Sequence, residues 1–215
     1  MPAKVLIVDD HPIMREGLRT LISREHDLAV CGEAQTVGQA LDAVSNLKPD
    51  LVLADITLPG RSGVELIKEI RALRPGALIL VISMHDELLY AERALRAGAR
   101  GYIMKQESGS SMLHAIRQVV AGRIYLSRKM SARILKNVAG KSTKASSIER
   151  LSDREFEVFQ LIGRGKSTAQ IAAELHVSTK TVEAHRAHVK EKLDLKTMSE
   201  LIAFASRWLE TNDMR

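Results

Sequence analysis

Three carboxylates at the ends of two apolar segments are the residues best suited to do chemistry. Asp9 and Asp10 follow the apolar run Val5–Val8, and Asp55 follows the run Leu51–Ala54. If both runs are neighbouring parallel strands, the three acids meet at one edge of a sheet. Like charges so close together require a divalent cation or a chemically modified acid. The pattern therefore predicts Mg2+-assisted phosphoryl transfer, with Asp55 as the nucleophile that forms an acyl phosphate.

Other polar residues follow apolar runs at the same predicted edge. Ser83 would supply a hydroxyl donor and Lys105 a positive charge, and Tyr102 lies three residues before Lys105. A single aspartate at a strand end more often caps the next helix than takes part in chemistry. Four polar strand ends in one chain instead favour a shared site.

Alternating strands and helices must position these side chains. The strands are short, continuous apolar runs, which is typical of strands that helices cover on both faces. The alternation predicts an α/β, doubly wound, flavodoxin-like sheet of five parallel strands over residues 1–122. We predict strands at 4–9, 28–33, 50–55, 78–83 and 101–104, and helices at 13–25, 37–47, 63–74, 86–98 and 109–122.

From Leu151 the pattern becomes helical and predicts a small all-α domain of four helices over residues 151–215. Ser152, Ser167 and Thr197 each stand three residues before Glu or Gln, the capping-box spacing, and Ser178 is a further N-cap. A tight turn joins the middle two helices, and such a pair can place its second helix in the major groove of DNA. The predicted helices are 153–163, 168–175, 179–193 and 198–210.

Charge is concentrated between these two regions. The net charge is +6, yet residues 123–150 alone hold eight basic residues and one acidic residue, whereas residues 151–215 hold ten of each. This connecting segment is either a solvated tether or a source of nonspecific attraction to phosphate. Within it, 128–138 fits a short helix and 139–147 reads as a linker rich in small polar residues.

Composition favours a soluble, cytoplasmic protein without membrane contact. Cys31 is the one cysteine, so it cannot form an internal disulfide, and the reducing cytoplasm is the expected compartment. The chain shows no signal-peptide pattern and no run of 18 apolar residues.

Residues 1–122 resemble the receiver domain of two-component response regulators. The resemblance rests on the order and spacing of four motifs: Asp9-Asp10, Asp55–Gly60 with Gly63, Ser83–Asp86, and Ala97–Lys105. It implies that a sensor histidine kinase phosphorylates Asp55, and that phosphorylation biases a two-state switch. The residues it implicates are Asp9, Asp10, Asp55 and the carbonyl of Thr57 at Mg2+, and Ser83, Tyr102 and Lys105 around the phosphoryl group.

A second resemblance rests on motifs spread over most of residues 151–210: Leu151–Glu155, Gly165–Ser167, Ile171-Ala172, Leu175, Val177-Ser178, Thr181–Arg186 and Lys192-Leu193. In these motifs the chain resembles the LuxR-type helix-turn-helix. The whole chain is then similar to the NarL/FixJ class of response regulators. This implies a recognition helix at about 178–192, a homodimer when phosphorylated and a two-fold symmetric double-stranded DNA operator. The implied DNA contacts are Lys180, Thr181, Glu183, Ala184, His185, Arg186, Ala187 and Lys190, and the implied dimerisation residues are Leu201, Ala205 and Trp208.

The sequence leaves open the role of Glu183 and several alternatives for the function of the whole protein. Glu183 would either accept a hydrogen bond from cytosine or repel nonspecific DNA. An aspartyl phosphatase would need a second aspartate where Thr57 stands, and a dinucleotide enzyme a glycine-rich turn in place of Asp9–Pro12. We expect no enzyme activity beyond the protein's own phosphorylation and slow dephosphorylation. A protein-binding adaptor, and a DNA regulator independent of phosphorylation, are the remaining alternatives.

Overall fold

A computed structural model describes residues 1–59, 62–84, 87–139 and 147–213. The chain divides into two compact units, Met1–Lys136 and Asn137–Arg215. The motif residues Gly60, His85 and Asp86, and residues 140–146 of the expected linker, lie outside the described residues. No helix in the described part of the chain is long and apolar enough to cross a membrane. The functional division at residues 122 and 150 stays a prediction.

The first unit is built on a parallel sheet of five strands in the order β2-β1-β3-β4-β5. This confirms the predicted doubly wound sheet. β1 and β3 are hydrogen-bonded neighbours, with Val8 beside Ala54, and the strand order reverses between them. Sheets of this kind bind ligands in the crevice beyond the carboxyl ends at such a reversal. The strands are β1 Ala3–Val8, β2 Leu28–Ala34, β3 Leu51–Asp55, β4 Leu78–Ser83 and β5 Gly101–Met104.

Five helices alternate with these strands, and local sequence explains where most of them begin. Pro12 is the first residue of α1, where its missing N–H would have no helical partner in any case. Thr36, Ser62 and Ser108 cap α2, α3 and α5 by accepting hydrogen bonds from the first turn. The helices are α1 Pro12–Ser23, α2 Val37–Leu47, α3 Gly63–Leu73, α4 Glu87–Ala97 and α5 Gly109–Val120.

The chain after α5 is attached to the outer edge of β5. The N–H of Tyr125 donates to the carbonyl oxygen of Arg100, and the N–H of Tyr102 donates to the carbonyl oxygen of Tyr125, both at 3.0 Å. Helix α6 then spans Arg128–Ala139, within one residue of the helix predicted there. Its Met130 is fully buried. The beginning of the basic segment is thus packed on the first unit.

The described part of the second unit is helical, as predicted. Ser152 and Ser167 form capping boxes at α7 and α8, and Ser178 caps α9 by accepting a hydrogen bond from the N–H of Thr181. His176 turns the chain between α8 and α9 with a positive φ of 53°. The elements are a short 3-10 helix at Ser147–Arg150, α7 Asp153–Gly163, α8 Thr168–Glu174, α9 Thr179–Leu193 and α10 Met198–Asp213.

Helices α7 and α10 pack closely in the core of this unit. A Cβ at Gly163 would lie 2.8 Å from the carbonyl oxygen of Ala205, so only glycine allows the two backbones to approach so far. The ring of Trp208 on α10 packs edge-on against Phe156 and Phe159 of α7, each at a centroid distance of 5.6 Å. Because α7 also packs against α8 and α9, this core holds the helix pair in place.

Candidate functional site

An acidic cluster lies beyond the carboxyl ends of β1 and β3. Asp9 directly follows β1 and is 2% exposed, and Asp55 ends β3 and is 3% exposed. One potential ligand atom from each of Asp9, Asp10, His11 and Asp55 lies within 4.8 Å of the others. The three acids therefore meet as predicted, because β1 and β3 are adjacent and parallel.

Lys105 lies between the two buried acids and offsets their repulsion. Its Nζ is 2.7 Å from Oδ2 of Asp9 and 2.7 Å from Oδ2 of Asp55, and its side chain is 6% exposed. Its backbone N–H donates to the carbonyl oxygen of Ser83 at 2.8 Å, which joins the end of β5 to the end of β4. The fold thus brings Lys105 into contact with Asp55, although the two residues are 50 positions apart in the sequence.

Burial governs the protonation of this pair. Desolvation raises the pKa of Asp55 to about 6, although Lys105 acts in the opposite direction, and nearby Asp9 adds to the increase. Burial also disfavours the charged form of Lys105, but Asp55 and Asp9 together outweigh it and raise the pKa of the ammonium. At neutral pH the site therefore pairs the ionised carboxylate of Asp55 with the positive charge of Lys105.

The donor set suits a hard divalent cation. Asp9, Asp10 and Asp55 supply carboxylate oxygens, the ligands that Mg2+ prefers. The three acids carry more formal charge than Lys105, which contacts Asp9 and Asp55, can offset, and a divalent cation would balance the excess. The N–H of Thr57 donates to Oδ1 of Asp55 at 3.0 Å, so hydrogen bonds hold both oxygens of this carboxylate. The residues present fit a bound Mg2+.

The sequence analysis missed two residues at this site. Nδ1 of His11 lies 2.7 Å from Oδ1 of Asp10 and 3.2 Å from Oδ1 of Asp9. Arg15 is buried, and its Nη1 donates to the carbonyl oxygen of Asp9 at 2.7 Å. The position of His11 beside two acids was visible in the sequence. Arg15 gave no such signal, because the turn into α1 is what brings it back over Asp9.

Ser83 and Tyr102, the expected switch residues, are both fully buried. Ser83 ends β4, the strand beside the one that carries Asp55, and Tyr102 pairs with Val81 in the register of β4 and β5. Ser83 thus lies on the strand next to that of Asp55, and Tyr102 lies one strand further out, on β5, the strand that leads to Lys105.

Helix α9 shows the predicted division into an inner and an outer face. Val182, Val189 and Leu193 are buried, as the apolar stripe predicted. The expected DNA contacts differ in exposure: Lys180, Glu183, Ala184 and Ala187 are exposed, whereas Thr181, His185, Arg186 and Lys190 are partly buried.

Three polar side chains on α8 and α9 contact one another. The hydroxyl of Thr168 donates to Oε1 of Glu183 at 2.7 Å, and Nη1 of Arg186 donates to the same oxygen at 2.9 Å. Nη1 of Arg186 also donates to the Thr168 hydroxyl. Arg186 therefore lies along the protein surface within this group instead of projecting alone toward solvent.

His185 differs from the other expected contacts in its electrostatics. Burial lowers the pKa of His185, and the nearby positive charge of Arg154 lowers it further. Nδ1 of His185 is buried as well. At neutral pH the ring is uncharged, so any contact it makes with DNA would depend on hydrogen bonding and not on a positive charge.

The expected dimerisation residues lie on the face of α10 that packs toward α7 of the same chain. Leu201 and Ala205 are fully buried in the core of the second unit, and Trp208 packs on Phe156 and Phe159. The sequence pattern identified the apolar face of α10 correctly, but α7 of the same chain covers that face. The outward face of α10 carries other residues, among them Ile202, which is 43% exposed.

Comparisons with known proteins match the two parts of the chain to different families. Residues 5–117 match the family described as response regulator receiver domain, and residues 149–205 match the bacterial regulatory proteins of the luxR family. The oxygen regulatory protein NreC of Staphylococcus haemolyticus is 34% identical over 208 residues, which cover 94% of this chain and 96% of NreC.

Two solved structures are also similar. The crystal structure of a LuxR-family two-component response regulator from Aurantimonas has 37% identity and a TM-score of 0.60, covering 65% of this chain and 99% of that one. The structure of two RcsB dimers bound to two parallel DNAs has 25% identity and a TM-score of 0.59, covering 96% of this chain and 98% of that one.

Proposed function

The chain belongs to the NarL/FixJ class of two-component response regulators, which join a receiver domain to a LuxR-type DNA-binding domain, and from this we propose that phosphorylation of Asp55 controls DNA binding by α9. The observation that carries the proposal is the buried carboxylate of Asp55, held 2.7 Å from Nζ of Lys105 within a cluster of acids. The same chain supplies a helix pair whose second helix has an exposed outer face.

We assign the acids of the cluster and Lys105 separate parts in phosphorylation. An oxygen of Asp55 attacks the phosphorus of the donor, forms a P–O bond and displaces the imidazole nitrogen of a kinase histidine. Mg2+, held by Asp9, Asp10, Asp55 and the carbonyl of Thr57, would balance the charge of the phosphoryl oxygens. Lys105 keeps its positive charge beside the new group.

Two buried residues transmit the change. We assign Ser83 to a hydrogen bond with the phosphoryl group. Tyr102, whose expected response was an inward rotation, is already fully buried, so we assign it to transmitting the shift of β5 that follows. Tyr102 is well placed for this role, because its backbone N–H bonds to Tyr125, where the connecting segment begins. A shift of β5 would therefore move the start of the connecting segment.

Two copies of the chain would bind a two-fold symmetric operator when phosphorylated. RcsB dimers bind DNA in one of the structures similar to this chain. Since Leu201, Ala205 and Trp208 face α7, we assign the pairing of the second units to the outward face of α10, which includes Ile202.

A sensor histidine kinase is the proposed donor of the phosphoryl group. The cytoplasm is the proposed location, because the donor and the chromosome are both accessible there.

An in vitro DNA selection with the full-length protein tests the proposal. One arm contains Mg2+ alone, and the other contains Mg2+ and beryllofluoride, which mimics a phosphoryl group on Asp55. We expect a two-fold symmetric motif that is enriched only with beryllofluoride. The same motif in both arms would show that the receiver does not gate DNA binding. If neither arm yields a motif, the second unit is not a DNA-binding module.

A further inference from the structure

The outer face of α9 has an unusual charge for a surface that meets DNA. Lys180, Glu183, Ala184, Ala187 and Glu191 are all exposed and follow one another at helical spacing, so they form one stripe. Two acids and one base make the stripe net negative, although phosphate contacts favour positive charge. An acid that faces DNA weakens nonspecific binding, so its presence requires either a sequence-reading role or a purely repulsive one.

Glu183 is held in place, unlike an ordinary solvated acid. Its Oε1 accepts hydrogen bonds from the Thr168 hydroxyl at 2.7 Å and from Nη1 of Arg186 at 2.9 Å. The side chain of Arg186 is only 17% exposed, whereas that of Glu183 is 59% exposed. The two donors thus lie beneath the carboxylate and fix its orientation from below. Such support is what a side chain needs to read a base edge.

Arg186 also reduces the electrostatic penalty of bringing Glu183 near phosphates. Its guanidinium balances the carboxylate at short range, so the pair presents a local dipole and not a net negative charge. The exposed neighbours Ala184 and Ala187 have small side chains, which leave room for a close approach of the helix to the groove floor.

The chemistry of the major groove then selects one base. A carboxylate only accepts hydrogen bonds, so guanine, with its N7 and O6 acceptors, and thymine, with its O4 acceptor, repel it. Adenine presents a donor beside an acceptor at N7, whereas cytosine presents the N4 donor. Both side-chain bonds to Glu183 end on Oε1, and Oε2 is the atom that would accept from N4 of cytosine.

We infer that Glu183, positioned by Thr168 and Arg186, is a specificity-determining residue that selects cytosine at the base pair it faces. The inference rests on the proposed function, DNA binding by α9, and decides between the two roles that the sequence left open for Glu183.

The test is the DNA selection above, run with beryllofluoride on the full-length protein and on two variants. Glu183→Gln converts the carboxylate to an amide of the same size that prefers adenine. Glu191→Gln, the matched control, removes the other acid of the stripe. We expect the unsubstituted protein and Glu191→Gln to select the same motif, with cytosine at one position in each half-site. Glu183→Gln should lose cytosine there, and its preference at that position should change at least about fivefold.

Thr168→Val is a second test of the inference. It removes the hydroxyl that donates to Oε1 of Glu183 and leaves the exposed residues of α9 unchanged. The cytosine preference should weaken at that position alone, while the rest of the motif and the melting temperature stay as they were. If Glu183→Gln selects an unchanged motif but binds all DNA more tightly, Glu183 only repels DNA and the inference fails. No motif from the unsubstituted protein would instead overturn the DNA-binding proposal itself.

Discussion

Asp55 combines three properties at the scale of a single residue: burial, a raised pKa and contact with a fixed positive charge. Asp55→Asn removes the nucleophilic oxygen while keeping the size of the side chain. We expect complete loss of acid-labile label from a small-molecule phosphodonor in the presence of Mg2+. Asp42→Asn makes the same chemical change on the exposed surface of α2 and should label normally. Undiminished labelling of the Asp55 variant would contradict its assignment as the phosphoacceptor.

Gly63 determines how closely α3 approaches the end of β3. A Cβ at this position would lie 2.5 Å from the carbonyl oxygen of Asp55 and 2.5 Å from Cα of Ile56, which are backbone atoms. Gly63→Ala must therefore displace the chain just beyond the nucleophile. We expect a loss of about 1–3 kcal/mol in the free energy of unfolding, measured by urea denaturation, together with slower phosphorylation.

Gly17→Ala is the matched control for this change. Gly17 lies inside α1, and a Cβ there would meet no atom within 4 Å. Alanine suits a helix interior better than glycine, so this variant should be more stable by about 0.5–1 kcal/mol and phosphorylate normally. Equal stability of Gly63→Ala and the unsubstituted protein would show that α3 can move away without consequence.

The site residues that could be predicted from the sequence were those at the end of an apolar run. Asp9, Asp10 and Asp55 each end an apolar run, and the position of a run's end depends on local sequence alone. Arg15 reaches Asp9 only after the chain has turned into α1, so no local pattern reveals it. The contact of Arg186 with Thr168 likewise joins two helices and depends on their packing.

At the scale of secondary-structure elements, the start of a helix could be predicted where a side chain in the sequence caps it. Ser152 and Ser167 satisfy the first backbone N–H groups of α7 and α8, so the starts of these helices follow from sequence. The partner of an apolar face does not follow in this way. Leu201, Ala205 and Trp208 form the same stripe whether α7 or a second copy of the chain covers it, and only the fold shows that α7 does.

Glu155 joins the beginning of α7 to the end of α9. Its Oε2 accepts from the backbone N–H of Ser152 at 2.7 Å and from Nζ of Lys192 at 2.6 Å. Burial acts to raise the pKa of Glu155, but these bonds outweigh it, and the pKa is lowered from its ordinary value of 4.5. The carboxylate therefore stabilises the second unit fully above pH 4.5, and this contribution is lost as the pH falls through the lowered pKa.

Glu155→Gln should reduce the free energy of unfolding of the second unit by about 1–2 kcal/mol at pH 7, because the charge-assisted bonds are weakened. The difference should shrink as the pH falls below 4.5. Trp208, the one tryptophan, reports unfolding of this unit by fluorescence. Glu210→Gln, on the exposed face of α10, is the control and should change little. A difference that stays constant with pH would show that the carboxylate charge of Glu155 contributes nothing.

At the scale of the whole molecule, the two activities are connected by a segment that begins on the receiver. Tyr125 is bonded to β5, Met130 is buried in the first unit, and residues 123–150 hold eight basic residues and one acidic residue. A segment attached to β5 in this way would respond to a shift of that strand, and its positive charge would attract DNA independently of sequence. Coupling between the units, if phosphorylation controls DNA binding, is a free energy that can be measured at the receiver or at the DNA-binding unit.

Thermodynamic reciprocity gives the sharpest test of that coupling. If beryllofluoride on Asp55 tightens operator binding by some factor, operator DNA must tighten beryllofluoride binding by the same factor. We expect about 5- to 150-fold in both directions, measured by calorimetric titration of each ligand with and without the other. DNA of equal length without the motif should produce a smaller effect that disappears at high salt, because it reports only phosphate attraction. If operator DNA leaves beryllofluoride binding unchanged, the receiver and the DNA-binding unit act independently, and phosphorylation of Asp55 does not control operator binding.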